Sequence, residues 1–101
     1  MSRWSVAISP AAQEDLRSVG AYYHEVAPEQ VRRFQREVTR CLARLRSNPL
    51  LGRIDDDARH MLLGAFPYHM WYVVDEATRT VLVASVLHVR RDPTFVRSRL
   101  A

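Results

Sequence analysis

The chain has 101 residues, 48% hydrophobic and 26% charged, with a formal net charge of +4. That size suits one domain spanning residues 1–101 with one core, and that composition excludes a disordered tail or a low-complexity linker. No apolar run approaches the roughly 20 residues needed to cross a bilayer, and a single cysteine, Cys41, excludes an intrachain disulfide.

Residues 3–8 read as a short strand. Ser9-Pro10 then marks a helix start, because serine caps and proline is tolerated at the first helical position. Ala12, Leu16, Val19, Tyr23 and Val26 recur at spacings of four and three, the face of an amphipathic helix. Pro28 opens a second helix whose apolar stripe is Val31, Phe34, Val38, Cys41, Leu42 and Leu45. The short joint at Ala27 makes the two an antiparallel hairpin. Asn48-Pro49 ends the second helix, and residues 48–57 read as a loop with the acidic run Asp55-Asp56-Asp57.

Three strands follow, Ala58 to Leu63, Pro67 to Asp75 and Thr80 to Val89. Their short connections favour consecutive antiparallel pairing. The tail, Pro93 to Ala101, reads as a final helical turn. The fold class is therefore α+β, in the order β-α-α-β-β-β, with the helix hairpin packed on a small antiparallel sheet. Alternation in the second of the three strands separates Tyr68, Met70, Tyr72 and Val74 from His69, Trp71, Val73 and Asp75. In the third it separates Leu82, Ala84, Val86 and His88 from Val81, Val83, Ser85, Leu87 and Val89. Both faces are apolar, so the helices cover one, and either another chain or the chain's own tail covers the other.

All fifteen basic residues are arginines, which stay charged and make fork-shaped contacts with carboxylates and phosphates. The positive balance points to an acidic partner or nucleic acid. The last strand runs into His88-Val89-Arg90-Arg91-Asp92-Pro93, so a buried element delivers fixed charge to the edge of the fold. Arg59, Arg90 and Arg91 lie at strand ends that can converge in a meander. His88 and Arg90, two apart, share a face if the strand continues. Such a His/Arg/Tyr group can position a phosphate and move a proton; the alternative is salt bridging to Asp92 or the acidic loop.

Arg32, Arg36, Arg40 and Arg44 stack in one row along the second helix, as a solvated face or as a surface for an acidic helix or nucleic acid. Glu29 and Glu37 partly relieve Arg33 and Arg40. His60 and His69 can sit opposite each other on adjacent strands. Neither His-x-x-x-His nor Cys-x-x-Cys occurs, so no metal or other cofactor is expected. Cys41, on an apolar helix face, reads as a buried structural thiol. A glycine-rich phosphate loop and a Gly-x-Ser-x-Gly elbow are both missing. Ser9, Pro10 and Gln13 interrupt the N-terminus before any signal-peptide core, so the expected location is the cytoplasm.

Ser9-Pro10-Ala11-Ala12, Asp15-Leu16 and Tyr22-Tyr23 resemble the first helix of ParE/RelE-superfamily toxins. Asn48-Pro49, Gly52-Arg53, Arg59, Pro67-Tyr68, Tyr72-Val73-Val74 and His88 to Pro93 continue the resemblance in order across nearly the whole chain. The resemblance implies the toxin of a bacterial type II toxin–antitoxin pair. A cognate antitoxin encoded by an adjacent gene would neutralise it, wrapping an apolar sheet face and its arginine-rich rims. Operator DNA would be reached only through the antitoxin. ParE-like members poison DNA gyrase by protein contact, whereas RelE-like members cut mRNA on the ribosome with basic residues and often a C-terminal tyrosine. This chain has no lysine and offers Phe95 in place of that tyrosine, which points to the ParE-like, non-enzymatic branch. The binding residues implied are Arg53, Arg59, Tyr68, Tyr72, His88, Arg90, Arg91 and Phe95. A RelE-like ribonuclease would instead use Arg59, His88, Arg90 and Arg91. A third reading is an inert partner in an autoregulatory DNA-binding complex.

Overall fold

Ser9 closes the first strand and starts the first helix. Its backbone is extended, its hydroxyl oxygen accepts the Ala12 N–H at 3.1 Å, and Pro10 follows where no N–H is needed. The computed structural model describes residues 3–91. In it this junction joins β1 (Ser5–Ile8) to α1 (Pro10–Val26). A 3₁₀ turn, Pro28–Gln30, leads into α2 (Val31–Ser47), so proline sets a turn before the helix proper. The hairpin forms as its apolar spacing requires. A second 3₁₀ turn, Pro49–Leu51, precedes β2 (Arg53–Asp55), β3 (Ala58–Leu62), β4 (Tyr68–Asp75) and β5 (Thr80–His88).

The sheet order is β1-β5-β4-β3-β2. The meander pairs antiparallel as expected. β1 adds on the far side of β5 in parallel register, Ser5 against Thr80 through Ile8 against Val83, so the complete five-stranded sheet is mixed. The stretch 48–57 is not all loop: Arg53–Asp55 pairs with β3, Ile54 facing Arg59. Three residues are too few to show a period-two pattern, and Arg-Ile-Asp has no run of strand formers.

β5 departs from simple alternation. A register shift lies beside Trp71 and Tyr72: Trp71 faces Ser85 while Tyr72 faces Val83, leaving Ala84 as the extra residue of a bulge. The bulge puts Val81, Val83, Val86 and His88 on one face and Leu82, Ser85 and Leu87 on the other, correcting the uninterrupted split expected from sequence. Ser9 and the first turns of α1 pair backbone groups on either side of the bulge. Asp15 Oδ2 accepts the Val86 N–H at 2.9 Å, the Ser9 hydroxyl donates to the Ala84 carbonyl at 3.3 Å, and the Ser9 N–H donates to the Val83 carbonyl at 2.9 Å.

The main core lies between the helices and one sheet face. Ala12, Val19, Phe34, Cys41 and Leu45 meet Met70, Tyr72, Val81, Val83 and Val86 there. On the opposite face a smaller cluster buries Ala58, Trp71 and Leu87 with Val73 beside them. Residues from Asp92 onward, with Phe95 and the expected terminal helical turn, lie outside the described residues. Among those described, no helix is long and apolar enough to cross a membrane.

Candidate functional site

The end of β5 meets the start of β4. His88 pairs with Tyr68, their rings 5.5 Å apart and nearly perpendicular. The Val89 N–H donates to the Pro67 carbonyl at 3.0 Å, and the chain then turns around His88. The Arg91 N–H donates to the His88 carbonyl at 2.9 Å, and the Arg90 N–H donates to its ring Nδ1 at 3.2 Å. The backbone of both arginines is thus fixed while all three side chains stay exposed.

Behind this corner stands an aromatic wall of Tyr23, Phe34, Phe66 and Tyr68, with edge-to-face contacts between 5.3 and 6.4 Å. Burial, then the neighbouring Tyr23 and Tyr22, push the Tyr68 phenol above its ordinary pKa. Tyr23 is raised by burial and by Tyr22. Both hydroxyls therefore stay protonated at neutral pH and act as hydrogen-bond partners rather than bases. Tyr23 belongs to the corner although its spacing marks it as a core residue. The adjacent Tyr22-Tyr23 pair near the helix end is the sequence signal for that role. The corner offers two exposed guanidinium groups, an imidazole and an aromatic floor, which suit recognition of an acidic or aromatic protein surface.

Arg59 does not join it. Arg59 faces Tyr72 and His88 faces Tyr68, so four residues of β4 separate them, roughly 13 Å along the strand. The Arg59 Nη1 donates to the carbonyls of Leu50 and Gly52, both at 3.0 Å. The expected convergence of Arg59 with Arg90 and Arg91 is therefore not found, because antiparallel pairing carries them to different levels of the sheet. Tyr72 is 0% exposed, and its hydroxyl donates to the Pro49 carbonyl at 2.6 Å. It is not available as the direct contact expected from sequence. Burial pushes its phenol to about 12. Gly52 packs against that ring, leaving no room for a Cβ. Arg59 and Tyr72 together clamp the 49–52 turn.

The other sheet face carries His60, His69 and Trp71. His60 faces Trp71 and His69 faces Leu62, so the two histidines are diagonal rather than opposite, with rings 4.3 Å apart. Burial lowers the pKa of both; Asp55 partly offsets this for His60, while Arg53 and the other histidine add to it for His60 and His69 respectively. Arg53 is exposed and faces His60 across β2 and β3. Among the described residues, no group of three or more His, Cys, Asp or Glu is placed to hold a metal. Cys41 is buried, and burial pushes its thiol to about 11, which removes it as a nucleophile.

A family model for the ParE toxin of type II toxin–antitoxin systems matches residues 6–93. The chain belongs to the ParE toxin family. Its fold agrees with that assignment. A chain of the chromosomal ParDE system from P. aeruginosa superposes with a TM-score of 0.69 at 14% identity, over 84% of this chain and 95% of that one. A chain of the RelBE2 toxin–antitoxin complex from Mycobacterium tuberculosis gives 0.59 at 20% identity, over 85% and 98%. At those identities the likeness speaks to fold alone. No curated protein sequence matches the chain. Within this ParE-family chain, the structure gathers Tyr68, His88, Arg90 and Arg91 at one corner. It places Arg53 on the opposite face and turns Arg59 and Tyr72 inward.

Proposed function

We propose that this ParE-family toxin inhibits DNA gyrase by protein contact and is neutralised by a cognate antitoxin encoded beside it. The observation that carries the reading is the family match along residues 6–93. The corner chemistry supports contact over catalysis: Arg59 is tied to backbone carbonyls away from His88, and the Tyr68 phenol is held protonated. Phosphodiester cleavage needs a proton acceptor and cations converging on one phosphate. On this reading Tyr68, His88, Arg90 and Arg91 contact gyrase, with Phe95 beyond the described residues. The antitoxin covers the exposed apolar side chains Leu50, Leu51, Ile54 and Leu62 near the β2 edge, with Arg53 at their rim.

Induction in a bacterium should arrest growth, and co-expression of the adjacent gene should restore it. Purified protein should inhibit gyrase supercoiling, and the double variant Arg90→Ala, Arg91→Ala should weaken that inhibition by about tenfold or more, the scale of two charge-assisted contacts. Unimpaired supercoiling together with cut transcripts in a translating extract would replace this reading with the ribonuclease.

A further inference from the structure

Helix α2 carries six arginines and one glutamate. Arg32, Arg36, Arg40 and Arg44 repeat every fourth residue, so their Cα atoms climb about 6 Å per step along one stripe roughly 18 Å long. All four are exposed. The helix makes one ion pair among the described residues, Arg40 to Glu37 at 3.1 Å. Neighbouring like charges at this spacing cost a few tenths of a kcal/mol each, and among the described residues no other ion pair on α2 offsets them.

What lies between the arginines narrows the occupant. Gln35 and Thr39, both neutral and polar, line a shallow trough with Arg32, Arg36 and Arg40. None of the large apolar side chains that the surface exposes belongs to α2, so the row lacks the anchors that carry protein interfaces. It also lacks an aromatic platform of the kind that binds single strands. An apolar groove at Leu16, Val31 and Val38 borders the trough and would suit an acidic amphipathic helix, but the arginine row runs past it to Arg44. Exposed and fork-donating, the row winds by about 40° per step along the helix and fits a line of phosphates, to which arginine and glutamine donate.

We propose that the outer face of α2 binds the phosphate backbone of duplex DNA without reading its sequence. The proposal stands apart from the gyrase reading and holds or fails without it.

The test is fluorescence anisotropy on the full chain with two unrelated labelled duplexes and one single strand, each of about 20 nucleotides per strand, between about 50 and 200 mM salt. The two duplexes should bind equally, with a log–log salt slope of about −3 for three or four phosphates. Changing Arg32, Arg36 and Arg40 together to Gln should weaken binding about tenfold or more and flatten the slope. The charge-matched variant Arg3→Gln, Arg17→Gln, Arg53→Gln, with no change on α2, should lose under about threefold. Circular dichroism checks that both variants fold; if the row variant does not, Arg36→Gln alone should lower the slope by about one. Equal losses in the two triple variants, tighter binding of the single strand, or no binding at low salt would overturn the proposal. Poly-glutamate bound more tightly than the duplex would give the row to an acidic protein instead.

Discussion

Tyr72 makes a fully enclosed polar contact. Its hydroxyl lies in the core with the Pro49 carbonyl as its acceptor. Tyr72→Phe leaves that carbonyl without its donor and should destabilise the protein by about 1–3 kcal/mol. A lower urea midpoint with an unchanged slope would report it, and an unchanged midpoint would mean the turn is held by Arg59 alone. His60 and His69 give a second residue-scale prediction. Burial lowers both below the ordinary 6.5, so the unfolded chain takes up protons more readily than the folded one. Their contribution to stability is therefore complete above pH 6.5 and is lost as pH falls through the lowered folded values. The melting temperature should drop between about pH 7 and pH 5, and the double variant His60→Gln, His69→Gln should flatten that drop. An equally steep drop in the variant would assign it to carboxylates.

At the scale of elements, α1 and the β5 bulge depend on each other. Beside the bulge, and past the end of β1, side chains of Asp15 and Ser9 pair the Val86 N–H and the Ala84 carbonyl. Asp15→Ala should cost about 1–3 kcal/mol by stranding the Val86 N–H, whereas Asp15→Asn, which keeps an acceptor oxygen, should cost less. Thermal unfolding of the two variants checks the order; equal losses would show that an acceptor oxygen at this position is not what matters. The arginines of α2 make the contrast. Among the described residues, Arg40 makes an ion pair with Glu37 and Arg33 lies over the Phe66 ring, while the place of Arg32, Arg36 and Arg44 on an outer face directs attention to what they bind.

The molecule closes through contacts between its two ends. β1 lies parallel to β5, and Trp4 just before it donates its N–H to the Arg46 carbonyl at 2.9 Å. The Arg79 guanidinium stacks on the Trp4 ring at 4.3 Å. The β1–β5 pairing and the Arg79–Trp4 contact each join residues about 75 positions apart, so closing that loop carries a larger entropic cost than the local hairpin contacts. Trp4→Ala should remove about 3–5 kcal/mol, a large share of the roughly 5–15 kcal/mol available to a small domain. Denaturant unfolding measures this, and a loss under about 1 kcal/mol would show that the closing strand is dispensable.

The sequence by itself determined the helix hairpin, the three meander strands and the family. Long apolar periodicities, Ser9-Pro10 and Asn48-Pro49 are local signals that survive in any context. The exposed corner at His88, Arg90 and Arg91 was legible for the same reason, since a strand that runs into charge must end at an edge. Only the tertiary structure decided the parallel place of β1, the third-dimension partner of Tyr72 and the separation of Arg59 from the corner. Each depends on which strand lies beside which and at what register, and a one-residue bulge in β5 changes that register without a mark in the local pattern.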